Sequence, residues 1–142
     1  MTGTLPYSTD ILRLAADIPH IRRLDQPDIS VTEVSPLCGS RLILDLKMAD
    51  GKVAEIGLTV NACALGQAAT SIVASLALGK TPAEFAAGLE SLNAILAGSD
   101  AEPAAPWAPL LALAPARKER GRYGAMRLPF LAFAKAFKGL GE

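Results

Sequence analysis

The chain has 142 residues, a length that suits one domain and can bury a core without disulfide or metal staples. Hydrophobic residues make up 51% and the mean hydropathy is +0.31, which excludes a disordered chain. With 14 basic and 14 acidic residues the formal charge is zero, which excludes nucleic-acid binding driven by bulk charge and leaves homo-oligomer formation unopposed.

Residues 1–23 lack an apolar leader core and carry Asp10 and Asp17, so neither a secretory nor a transit peptide is read. Residues 57–79 carry no charge, but Thr59, Asn61, Gln67, Thr70, Ser71 and Ser75 argue against a membrane span. A cytoplasmic chain is the expectation, with Cys38 and Cys63 reduced.

Residues 8–18 predict a first helix, capped by Ser8 or Thr9, with Ile11, Leu12, Leu14, Ala15 and Ile18 as its apolar stripe and Pro19 as its stop. Residues 28–35 are rich in β-branched side chains and predict a strand. The next two strands form a hairpin. Over 41–48, Leu42, Leu44, Leu46 and Met48 share one face; over 53–60, Ala54, Ile56, Leu58 and Val60 do so. Asp50-Gly51 between them has the chemistry of a type I′ turn.

After Cys63 the apolar period becomes helical through Leu65, Ala69, Ile72 and Leu76, and Gly79 stops it. Thr81-Pro82-Ala83-Glu84 carries the signature of a capping box, followed by Phe85, Leu89, Leu92 and Leu96 on one helix face. Residues 98–106 read as a loop, Trp107 to Leu113 as a short apolar helix and 117–122 as a charged turn. Pro129 then opens a last helix with Phe130, Phe133, Ala134 and Phe137 inward. Strands grouped together and followed by helices predict an α+β fold: a three-stranded antiparallel sheet with helices packed on one face, as one domain over 1–142.

Cys38 and Cys63 lie just beyond the two outer ends of the hairpin, so folding brings them to one end of the sheet. Cys63 starts a helix, where unpaired N–H groups favour a thiolate, and Gly39 permits close backbone approach beside Cys38. The pattern admits two readings: a thiolate site for a soft metal or sulfur, or two small apolar side chains filling strand ends. His20 reads as a surface turn residue and 117–127 as a solvated turn or a dock for an acidic partner. A nucleophilic enzyme using Cys63 would need a nearby base, and the only histidine lies in the N-terminal region.

Ser35-Pro36-Leu37-Cys38-Gly39, the Asp50-Gly51 hairpin, Cys63 with its small-residue helix, and Gly79-Lys80-Thr81 together resemble the U-type iron–sulfur cluster scaffold family (the NifU N-terminal domain, IscU and SufU). The likeness runs over residues 8–137, and the long 98–122 segment looks like the SufU branch. It implies a scaffold and not an enzyme. It also implies a cysteine desulfurase as partner, and an iron–sulfur cluster or zinc held at Cys38 and Cys63. The family pattern places a carboxylate two residues after the first cysteine, where this chain has Ser40. A third cysteine is expected in Arg-x-x-Cys-x-x-Leu-x-aromatic, where Arg122 to Phe130 fits with Ala125 in the cysteine's place. The resemblance therefore implies either a scaffold working through two cysteines, or a degenerate paralogue that has lost metal binding and acts by binding or regulating partners.

Overall fold

Every element of the α+β prediction is present in the computed structural model, which describes residues 8–142; residues 1–7, where the leader reading begins, lie outside the described residues. The order is α1 (Thr9–Ala16), β1 (Ile29–Val34), β2 (Arg41–Ala49), β3 (Lys52–Asn61), α2 (Ala64–Leu76) and α3 (Pro82–Leu96). Two 3-10 segments, Ala108–Lys118 and Arg120–Arg122, then lead into α4 (Tyr123–Gly139). Ser8 caps α1 by accepting from the Ile11 N–H at 3.2 Å. The helix stops at Ala16, ahead of Pro19, with Asp17 at its C-cap.

The sheet is antiparallel in the order β1-β2-β3. Asp50 and Gly51 have φ of 54° and 74°, the positive values a type I′ turn requires. Leu42, Leu44 and Leu46 pair with Val60, Leu58 and Ile56, and these rows face the helices. One expectation fails near the turn. Lys47 pairs with Glu55 and Met48 with Val53, so Ala54 is an extra residue on β3. This bulge turns Val53 into the core at 2% exposure and leaves Ala54 outside.

Residues 20–22 pair with the free edge of β3 through a parallel bridge of Ile21 to Leu58, and the chain then crosses the opposite face of the sheet as a strap over residues 23–28. His20 takes φ 64° in a turn, its carbonyl accepts from the Leu58 N–H at 2.9 Å, and the Leu58 carbonyl accepts from the Arg22 N–H at 3.1 Å. Gly57 makes room for the strap: a Cβ there would stand 2.6 Å from the Arg22 carbonyl oxygen. Asp45, wholly buried opposite Gly57, binds the strap through Arg23 (2.7 and 3.0 Å) and the Leu24 N–H (3.0 Å), and also accepts from Ser30 Oγ (2.5 Å).

On the helix side, α2 packs between α1 and α4, and α3 packs on α4 and the longer 3-10 segment. Thr81 and Glu84 form the expected reciprocal capping box. Phe85 stacks on Phe133 at 4.3 Å between centroids, and Trp107 sits edge-on to Phe85 and Phe130 at 5.7 and 5.2 Å. Trp107 is fully buried and satisfies its indole N–H on the Glu84 carbonyl at 2.8 Å. The apolar stretch after it is a 3-10 helix, longer than the short segment expected.

The start of α4 also differs from expectation. The helix begins at Tyr123, and Pro129 lies inside it. The six residues before Pro129 already form helix, and the helix carries through a proline that removes one backbone bond and crowds the Ala125 carbonyl. Phe130, Phe133 and Phe137 are buried as expected, whereas Ala134 is exposed and Ala132 and Ala136 take the inner positions. The charged turn is anchored as well as solvated. Arg117 Nε donates to the Ile95 carbonyl at 3.2 Å, Arg127 Nε to Asn93 Oδ1 at 2.7 Å, and Tyr123 Oη to the Leu96 and Arg117 carbonyls.

Candidate functional site

The two cysteines flank one end of the hairpin. Arg41 at the start of β2 pairs with Asn61 at the end of β3, three residues after Cys38 and two before Cys63. The 35–40 loop closes on itself through Ser35 N–H to Ser40 O and Gly39 N–H to Ser35 O, both 2.8 Å, with Gly39 at φ 73°. Both serines are buried, at 4% and 3% exposure, while Leu37 at the loop tip is 79% exposed.

Inside this loop Cys38 Sγ lies 3.1 Å from Ser40 Oγ and 3.5 Å from Ser35 Oγ. Burial pushes the thiol's pKa up. Hydrogen bonds to the Ser35 and Ser40 hydroxyls and the Ser40 backbone, with the Arg122 charge, outweigh burial and hold Cys38 below the ordinary thiol value. The hydroxyls can rotate to donate to a thiolate, which is the form that attacks sulfur.

Cys63 is the N-cap of α2 with extended backbone, and its carbonyl accepts from the Gln67 N–H at 2.8 Å. Its side chain makes no capping bond and packs, partly buried, on the core. Both cysteines are free.

The first turn of α4 joins the two cysteine segments. Gly124 backs onto the Cys38 loop, since a Cβ there would stand 2.5 Å from Ser35 Oγ. Ala125, fully buried, faces the first turn of α2: a Cβ on Gly66 would stand 3.3 Å from the Ala125 methyl and 2.9 Å from that of Ala62. Three segments thus converge where the resemblance places its donors. The sequence pointed to Cys38, Cys63, Ser40 and Ala125. It missed Ser35 as a thiol partner and Gly124 and Gly66 as the packing that draws the segments together. Ser35 opens the very phrase that carries the resemblance, and that position was the available signal.

The donor set falls short of a resident metal. Among the described residues no group of three His, Cys, Asp or Glu side chains converges in a way that could hold one. Structural zinc takes about four protein ligands, and a [2Fe–2S] cluster four thiolates or their substitutes. Cys38 and Cys63 are two, the neutral Ser40 hydroxyl is already committed to Cys38, and Ala125 offers none. Taken alone, the chain's residues do not fit either group. No helix among the described residues is long and apolar enough to cross a membrane.

No protein-family profile and no curated protein matches the chain. Solved structures do. A NifU-like protein (N-terminal) from Brucella abortus superposes with a TM-score of 0.88 at 32% identity, over 94% of this chain and 93% of that one. A protein described as an iron–sulfur cluster assembly scaffold for the SUF system, from Fervidobacterium islandicum, gives 0.81 at 17% identity over 92% and 96%. A hypothetical protein gives 0.82 at 22% over 91% and 94%. The latter two show the fold alone. The 32% identity over nearly both full lengths shows more, and this chain belongs to the NifU-like, U-type iron–sulfur cluster scaffold family.

Proposed function

We propose that the protein serves iron–sulfur cluster assembly as a sulfur-accepting scaffold in which Cys38 is the receiving thiol and Cys63 its neighbour at the same end of the sheet. The observation that carries this reading is the seating of Cys38 against two buried hydroxyls at 3.1 and 3.5 Å. The long 98–122 segment supports placing the chain beside SufU-type members. The donor is the persulfide of a cysteine desulfurase. The Cys38 thiolate attacks the outer sulfur of R–S–SH, the S–S bond breaks, and R–S⁻ leaves and takes up a proton. Cys38 then carries S–SH, and no external oxidant or reductant is needed.

The reading is tested by adding the chain to a desulfurase with free cysteine and following alanine production. The intact chain accelerates turnover, Cys63→Ser retains the acceleration, and Cys38→Ser loses it. Equal acceleration by Cys38→Ser overturns the assignment.

A second reading has its own support in Ser40 and in the buried Ala125 methyl, which stand where a carboxylate and a third cysteine are expected. A chain that has lost these donors can act by binding assembly partners. In that case the Cys38→Ser, Cys63→Ser double variant keeps its affinity for the desulfurase and its effect on turnover.

A further inference from the structure

The outer edge of β1 is a sheet edge with its own catch. We infer that this edge is a strand-pairing surface for a second copy of the chain, held closed by Lys135 of α4. Pairing there needs neither cysteine, so it stands or falls apart from the sulfur chemistry proposed above.

Among the described residues β2 is the one strand beside β1, which leaves the other side of β1 open. The strand reads Ile29-Ser30-Val31-Thr32-Glu33-Val34: rich in β-branched residues, free of proline and glycine, and carrying a single charge. Such a segment pairs readily when its edge is exposed. Ser35 N–H bonds the Ser40 carbonyl at 2.8 Å, and in the same register Ile29, Val31 and Glu33 turn their backbone groups toward β2. Ser30, Thr32 and Val34 therefore direct theirs outward.

The middle one of these is capped. α4 runs alongside β1, with Gly124 against Ser35 at one end and Gly139 against Ile29 at the other. From between them Lys135 Nζ donates to the Thr32 carbonyl at 2.7 Å and lies 3.9 Å from Glu33 Oε1. A lysine laid on an edge strand works against strand addition. Its side chain is 55% exposed, so water can replace the contact and the catch can open.

Register selects the occupant. An antiparallel two-fold pairing that uses all three outward residues must centre on Thr32, setting it against Thr32 of the second copy and Ser30 against Val34 of that copy. Threonines directly opposite each other are a favourable cross-strand pair. Glu33 then falls opposite Val31 of the second copy, so the strand's one charge does not meet itself. The zero formal charge of the chain adds no net repulsion. Lys135 covers the carbonyl at the centre of this symmetric ribbon, where one donor obstructs both halves.

The test measures dimerisation of the intact, reduced chain by sedimentation velocity. Lys135→Ala is expected to dimerise about tenfold or more tightly than the parent, while Lys135→Arg, which keeps a donor and the charge, matches the parent. Thr32→Pro added to Lys135→Ala removes an outward N–H and leaves the bonds to β2 in place, so it is expected to abolish the gain. Amide hydrogen exchange supplies a second measurement that needs no proline variant: in Lys135→Ala, exchange over 29–34 is expected to slow as the chain dimerises. A Lys135→Ala chain no more associated than the parent would overturn the inference. So would the same gain in Lys135→Arg, a gain that survives Thr32→Pro, or a dimer that leaves exchange over 29–34 unchanged.

Discussion

The chemistry of this site turns on the hydroxyls around one sulfur. Ser40 stands where the family pattern has a carboxylate, and a carboxylate there would repel a thiolate that a hydroxyl supports. Ser40→Ala is therefore expected to raise the Cys38 pKa and slow its alkylation by iodoacetamide near neutral pH roughly threefold or more, with the reaction rising at higher pH than in the parent. An unchanged rate profile contradicts the role given to Ser40. A second buried residue acts on stability alone. Arg23 beside Asp45, against the opposing effect of burial and with help from Ser30 and the Leu24 N–H, lowers the carboxyl from 3.8 to about 2. A carboxyl depressed in the fold stabilises it at pH values above its unfolded pKa and loses that contribution as pH falls toward the folded pKa. Urea unfolding is thus expected to lose about 2 kcal/mol of stability between roughly pH 5 and 2 through this group, a loss absent in Asp45→Asn, which is itself destabilised at pH 7. Neither network was legible beforehand. Asp45 sits at an ordinary outward position of an alternating strand, and only the strap that covers it turns it into a buried anchor.

Local rules accounted for most elements and failed where packing overrode them. The Asp50-Gly51 turn and the Thr81–Glu84 box are fixed by backbone conformations and bonds that few other residues supply, so they read directly from the chain. The bulge at Ala54 has no such mark: alternation through 53–60 is intact in the letters, and pairing with Met48 moves the face. Pro129 misled as a helix opener because the preceding Tyr123 to Leu128 turn gains its stability from burial of Ala125, Met126 and Leu128, which periodicity around proline does not reveal. The same dominance of packing makes α3 sensitive at Gly88. A Cβ there would stand 2.6 Å from both Trp107 and Phe130 ring atoms, so Gly88→Ala is expected to cost about 2 kcal/mol despite alanine's better helix propensity. Thermal unfolding should show the loss, and the emission of Trp107, the sole tryptophan, should shift to the red as its packing loosens. A variant as stable as the parent contradicts the tight α3–α4 seam.

For the molecule as a whole, the sheet and helices serve to carry three chain segments to one end: the Cys38 loop, the Cys63 cap and the first turn of α4. The convergence was legible in the order of the sequence phrases, because a hairpin must return its outer ends to one place. The proposed sulfur acceptance depends on the Ser35 and Ser40 hydroxyls beside Cys38, a placement that sequence order does not encode. The most direct test of the central claim is to charge a desulfurase with persulfide, mix it with the metal-free chain for a single turnover, and map the product by intact and peptide mass. The account predicts the mass of one added sulfur atom on the peptide bearing Cys38, persisting in Cys63→Ser and absent in Cys38→Ser. A chain that gains no sulfur, or gains it on Cys63 with Cys38 unmodified, would contradict it.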